Sequence, residues 1–232
     1  VAVSILDVPV MPAREAARQL RIPATTLQHW LEGGDRRGTF YEPVLRTEPR
    51  GTLDMTWGEV VEARYLRAYR SSVSMQRLRP FISEMRQQFQ VRYPLAHFKP
   101  FVGKGRELVF QLQESTDVPE DLWLVFRGRS GQYRLNPLVV GDYVERIDFA
   151  DTPLAEAERI RPLGKDRAVV IDPRRSSGAA TVRGVRTDVL AERVRAGGSI
   201  EELANEFDLA EGDVHDGLTY AWSRSWPTVS AA

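Results

Sequence analysis

The chain has 232 residues, 42% of them hydrophobic, which is ample for two or three small globular cores and argues against a disordered polymer. It has no cysteine, so disulfide frameworks and thiolate metal sites are excluded, and no run approaches the ~18 apolar residues that a membrane span requires. The formal net charge is zero, but charge is segregated: 29 of the 32 cations are Arg, and residues 199 to 232 carry seven acids against one Arg.

Residues 12 to 32, PAREAARQLRIPATTLQHWLE, predict two short helices meeting at a turn. Ala13, Ala16, Ala17 and Leu20 recur at helical spacing and form a narrow face of small residues, so a second helix can approach closely. Arg21 and Ile22 interrupt the pattern. Pro23 opens the next helix, whose buried side is Leu27, Trp30 and Leu31. This is the spacing of a helix-turn-helix, although a plain helical hairpin uses the same apolar positions. The second helix would leave Thr25, Thr26, Gln28 and His29 outward, side chains able to reach base edges. A loop at 33 to 38 carrying Arg36 and Arg37, a strand from Phe40 to Arg46, and a turn at 47 to 51 with Arg50 then read as a basic wing.

A capping box, Thr56 with Glu59, starts a helix running to about Ser71. Another amphipathic helix spans about Ser74 to Arg92, with the stripe Leu78, Ile82, Met85 and Phe89 and with Pro80 either kinking it or delaying its start. Such a stripe needs a partner, either the next domain of the same chain or the matching helix of a second subunit. From 98 to 149 the pattern reads as short strands, with Gly103-Lys104-Gly105 as a hairpin turn before the strand ELVFQL. Beyond it, AVVID and AATVR flank the turn PRRSSG, and three short helices follow, the second opened by a Ser199/Glu202 capping box. The third helix presents Glu211, Asp213 and Asp216, which would repel phosphate and suit a protein partner better. The three histidines lie far apart with no ligand spacing and no nucleophile or phosphate-loop pattern is present, so the reading is of a non-enzyme with no metal and no cofactor.

Through EAARQLRIPATTLQHWL, YEPVLR and MTWGEVVEARYLRAYR, residues 11 to 92 resemble the MerR-like winged-helix family. The resemblance implies a second helix in the major groove, with Thr25, Gln28 and His29 toward bases, and a wing carrying Arg36, Arg37, Arg46 and Arg50. Residues 184 to 221, with their SIEEL core, resemble a small bacterial domain that accompanies PIN-domain ribonuclease toxins; Val185, Asp188 and Gly217 depart from its usual pattern. A head and tail of these kinds together are similar to VapB-type antitoxins. The expected fold is α+β: a winged helix-turn-helix domain at 1 to 73, a helix at 74 to 95 that could dimerise through Leu78, Ile82, Met85 and Phe89, a β-rich module at 96 to 165, a β-hairpin with three helices at 166 to 225, and a tail at 226 to 232. The expected protein is a cytoplasmic homodimer that binds operator DNA and a PIN-domain toxin, with residues 1 to 95 sufficient for the DNA. The alternative is a stand-alone MerR-like regulator whose middle module senses a ligand.

Overall fold

The computed structural model describes residues 4–69, 75–98, 101, 104–116, 120, 123–127, 130–136, 145–152 and 155–223. It is a mixed α and β chain with two compact units, residues 1–140 with 149–157, and residues 141–148 with 158–232. The first unit takes in the expected head, the helix after it and much of the middle module, together with residues 149–157.

In the first unit a 3-10 turn at Ile5–Asp7 leads into strand β1 (Pro9–Pro12) and helix α1 (Ala13–Leu20). Ala13, Ala16, Ala17 and Leu20 are all buried, the small-residue face expected from spacing. Helix α1 ends on Arg21 in the left-handed conformation (φ 54°, ψ 46°), and the Ile22 amide donates back to the Ala17 carbonyl at 3.1 Å. Pro23 then caps α2 (Ala24–Glu32), which buries Leu27, Trp30 and Leu31. Strands β2 (Gly34–Arg36) and β3 (Thr39–Tyr41) form a hairpin directly after α2. Its two central residues, Arg37 (φ 54°) and Gly38 (φ 79°), are both left-handed, the turn whose twist matches paired strands. The strand expected from Phe40 to Arg46 therefore ends at Tyr41, because Pro43 cannot donate to a ladder. Strand β4 (Asp54–Thr56) returns antiparallel to β1, pairing Met11 with Met55.

Helix α3 (Trp57–Tyr69) starts at the expected capping box: the Thr56 amide donates to Glu59 Oε2 at 3.0 Å and the Glu59 amide to Thr56 Oγ1 at 3.4 Å. Helix α4 (Met75–Phe89) runs through Pro80 and packs on α5 (Lys104–Ser115). Leu78, Ile82 and Met85 are buried within this chain and Phe89 partly so, so that of the two partners open to the stripe it is this chain's own elements that cover it. The ELVFQL segment is helical, not a strand after a Gly-Lys-Gly hairpin. Val109, Phe110, Leu112 and Gln113 are buried at three- and four-residue spacing, a period that six residues of mixed pattern do not reveal. The Gln113 amide staples α5 to the strand β5 (Val125–Arg127): Nε2 donates to the Val125 carbonyl at 2.9 Å and Oε1 accepts from the Leu124 amide at 2.6 Å. Strand β6 (Tyr133–Leu135) pairs antiparallel with β5. Completion of this unit comes late: the fully buried Trp57 donates its indole N–H to the Ala157 carbonyl at 2.7 Å, and Ser4 donates to Glu156 at 2.8 Å. A fragment ending at 95 would lack the Ala157 carbonyl to which Trp57 donates.

The remaining strands are β7 (Ile147–Phe149), β8 (Ala157–Ile160), β9 (Val169–Ile171), β10 (Ala180–Val182) and β11 (Val185–Arg186), in the sheet order β11-β10-β9-β8-β7. In the second unit this sheet leads into α6 (Thr187–Arg195), α7 (Ile200–Phe207) and α8 (Glu211–Trp222), whose core is Leu190, Ala191, Leu203, Val214 and Leu218. Ser199 and Glu202 form the expected capping box on α7. Trp222 is 45% exposed rather than on the buried side.

Candidate nucleic-acid interface

The exposed face of α2 consists of Ala24, Thr25, Gln28 and His29, with Thr26 half-buried. Leu27, Trp30 and Leu31 lock the opposite face into the core, so the outward side chains are carried on a fixed support. The backbone after the helix is equally constrained: the Val44 and Leu45 amides both donate to the Trp30 carbonyl at 2.9 Å. Gly33 and Gly34 let the hairpin turn back against the helix end. A Cβ on Gly33 would lie 2.3 Å from the Tyr41 carbonyl, and one on Gly34 would lie 2.5 Å from His29 Nδ1. Arg37 is exposed at the hairpin tip and Phe40 is 50% exposed beside it. Arg36 lies on β2, with its side chain outside the described residues.

Arg46 is not a wing residue available to phosphate. It is 2% exposed, and its guanidinium has every N–H direction occupied. Nε donates to Glu59 Oε1 at 2.8 Å, one terminal nitrogen to Glu32 and to the Thr52 carbonyl at 2.7 Å, and the other to the Asp54 carbonyl at 3.0 Å and Glu59 Oε2 at 3.3 Å. Burial works against the charge, but Glu59 and Glu32 outweigh it and hold the guanidinium above its ordinary value. Glu32 also accepts from the Arg50 and Gly51 amides at 3.0 and 2.8 Å, and the Arg50 guanidinium reaches Glu59 at 3.3 Å while staying partly exposed. This network ties the end of α2, the 47 to 53 turn and the start of α3 into one piece. Sequence reasoning missed it because Arg46 meets carboxylates 14 and 13 residues away on either side, a distance with no periodic signature.

Two further cations lie on the preceding helix. Arg14 and Arg18 are exposed on α1, four residues apart and opposite its alanine face, so the helical spacing that revealed the alanines could have revealed them. Among the described residues no three His, Asp or Glu side chains converge as metal ligands. No described helix is long and apolar enough to cross a membrane.

In the second unit α7 and α8 meet at a turn of the same kind, but the outward chemistry is acidic. Glu201, Glu202, Glu206, Asp208 and Glu211 are exposed. Arg183 pairs with Asp213 at 2.5 Å. Asp216, expected on the outer face, is turned inward: it accepts from the Ala168 amide at 2.9 Å and pairs with Arg167 at 2.9 Å. Arg174 and Arg175 are exposed on the turn between β9 and β10, and Arg174 reaches Glu158 at 3.2 Å.

Residues 169–221 match the family described as protein of unknown function (DUF433). The whole chain is 32% identical over 226 residues to "Uncharacterized protein Rv2308" of Mycobacterium tuberculosis, covering 94% of this chain and 92% of that one. It is 31% identical over 229 residues to the protein of the same organism named "Putative antitoxin VapB45", covering 91% and 93%. The chain belongs to the family that contains these two mycobacterial proteins. Its fold is similar to the X-ray crystal structure of Rv2018 from Mycobacterium tuberculosis, with a TM-score of 0.70 at 29% identity over 93% of this chain and 100% of that one.

Proposed function

We propose that this protein is the antitoxin of a type II toxin-antitoxin module. In this reading its first unit is a MerR-like winged helix-turn-helix that binds the operator of its own operon, and its acidic second unit neutralises a PIN-domain ribonuclease by protein contact. The observation that carries the DNA-binding half is the α2 face of Thr25, Gln28 and His29, displayed outward on a helix anchored at both ends, with Arg37 on the adjoining hairpin and Arg14 and Arg18 nearby in sequence. Amide, imidazole and hydroxyl groups read base edges, while arginines grip phosphate. The antitoxin half is supported by the name of the 31% identical relative and by the DUF433 match over the region that resembles toxin-associated domains. Glu201, Glu202, Glu206 and Glu211 on that unit would repel phosphate and attract a basic protein surface. Binding to a pseudo-palindromic operator requires two copies of the head. Because the α4 stripe is internal, the pairing surface in this proposal lies elsewhere.

The test is an electrophoretic mobility shift of the full chain on the DNA upstream of its own gene, with and without the product of the adjacent gene, alongside a ribonuclease assay of that product. Specific retention together with inhibition of the ribonuclease supports the proposal. Retention without any inhibitory partner would instead indicate the stand-alone regulator, and no retention of any upstream fragment would overturn the DNA-binding half.

A further inference from the structure

The hydrogen bonding of His29 fixes which ring nitrogen it offers to a ligand as an acceptor, and resting on the DNA-binding reading above, we propose that His29 is the residue that selects an amino-bearing base, adenine or cytosine, over a keto-bearing one at a single position on one strand. Gly33 closes α2 with its amide donating to the His29 carbonyl at 3.0 Å, and its own carbonyl lies 3.2 Å from His29 Nδ1. A backbone carbonyl can only accept, so Nδ1 must carry the hydrogen. In the neutral tautomer that carries this hydrogen, Nε2 is an acceptor on the ring edge away from that carbonyl, and the residue is exposed.

The ring is held there by more than one contact. A Cβ at Gly34 would lie 2.5 Å from His29 Nδ1 and 2.7 Å from Cε1, so the imidazole edge sits directly over a residue that has no side chain. Gly34 has φ 156°, and Gly33 has φ 70°, both within the range that favours glycine. The glycine pair thus does two things: it lets β2 begin at once after the helix, and it seats the ring so that Nδ1 faces Gly33. Gln28, next to it on the exposed face, has an amide that both donates and accepts and so does not discriminate in this way.

In the major groove adenine N6 and cytosine N4 are donors, whereas guanine O6 and N7 and thymine O4 are acceptors. An acceptor-only Nε2 is satisfied by the first pair and repelled by the second. The preference is therefore for A or C at the contacted position and against G or T there, and it is set by the backbone carbonyl of Gly33 rather than by another side chain.

The experiment is selection of binding sites from a randomised duplex library by the full chain, repeated with His29→Ala and Gly34→Ala, with circular dichroism of each variant as a check on folding. The expected result is one strand position in each half-site that holds A or C about ten-fold over G or T in the parent and loses that bias in His29→Ala, while the other positions keep theirs. Gly34→Ala, which unseats the ring, should lose the bias at the same position. A bias unchanged in His29→Ala, or a position that depends on His29 but holds guanine, would overturn the assignment while leaving sequence-specific DNA binding intact. Failure of the parent to enrich any sequence would overturn the DNA-binding reading itself.

Discussion

The molecule contains the same turn twice, 187 residues apart, and uses it for two different surfaces. Arg21 (φ 54°, ψ 46°) and Asp208 (φ 53°, ψ 50°) are both left-handed residues ending eight-residue helices. The next residue, Ile22 or Leu209, donates back to Ala17 or Ala204, and Pro23 or Ala210 caps the following helix. Leu27 and Val214 anchor the two second helices, each fully buried. The outward positions diverge. Where α2 has Ala24, Thr25, Gln28 and His29, α8 has Glu211, Gly212, His215 and the inward-turned Asp216. Local backbone geometry therefore says where a second helix goes, and the few side chains it leaves outside say what that helix can touch.

The strongest way to break the comparison is to disturb the support of one copy alone. Met85→Glu would bury a charge at a site with no exposure in the first unit, and we expect a loss of about 4 kcal/mol or more in that unit's stability, seen as an early urea transition while the second unit keeps its own. A folded protein that merely loses its oligomeric state would show that the α4 stripe faces a second subunit after all. Arg46→Ala strands Glu59 in the interior and should cost about 3 to 5 kcal/mol in the same assay, with no effect on α6 to α8, which have no such arginine in their core.

A third expectation concerns pH. Glu62 is fully buried on α3, and desolvation raises it to about 7 from 4.5 despite Arg86 at 3.2 Å and the Leu95 amide at 3.1 Å, with Glu59 adding to the rise. A carboxyl raised in the folded state favours folding at low pH and loses that contribution as pH climbs through the folded value. The first unit should thus lose stability on the order of 3 kcal/mol between pH 4.5 and 7 relative to Glu62→Gln, in which that dependence disappears. Parallel stability curves for the parent and Glu62→Gln over this range would show that Glu62 stays charged throughout. The smallest effect sharpens the functional contrast. Gln28→Ala should weaken binding to the cognate site by about 1 to 3 kcal/mol and binding to random DNA much less, whereas His215→Ala, at the matching position of α8, should change neither. Equal losses on both DNAs would mean that Gln28 does not read bases.

What the sequence revealed and what it hid divide along physical lines. Both capping boxes, Thr56 with Glu59 and Ser199 with Glu202, were legible because each is a contact between residues three apart. The alanine face of α1, the anchors Leu27 and Trp30, and strands β9 and β10 were legible for the same reason, being local periodicities. Arg46 and Asp216 were misplaced because a charge looks the same in sequence whether it meets water or a buried partner. Helix α5 reads as a strand in the sequence because its apolar run is too short to separate a period of two from one of 3.6, and the packing of Gln113 on β5 decides it. The outward set Thr25, Gln28 and His29 was readable from spacing, but the orientation of the His29 ring depends on Gly33 and Gly34 and was not.

The bond from Trp57 to the Ala157 carbonyl also bears on biosynthesis. Its two ends are 100 residues apart, so during translation the largest buried side chain at the start of α3 has no acceptor until residue 157 has left the ribosome. Helices α6 to α8, in contrast, make their core from residues within 187 to 222 and can collapse as soon as they emerge. The nascent first unit thus lacks this closing contact through the synthesis of the 100 residues that follow Trp57.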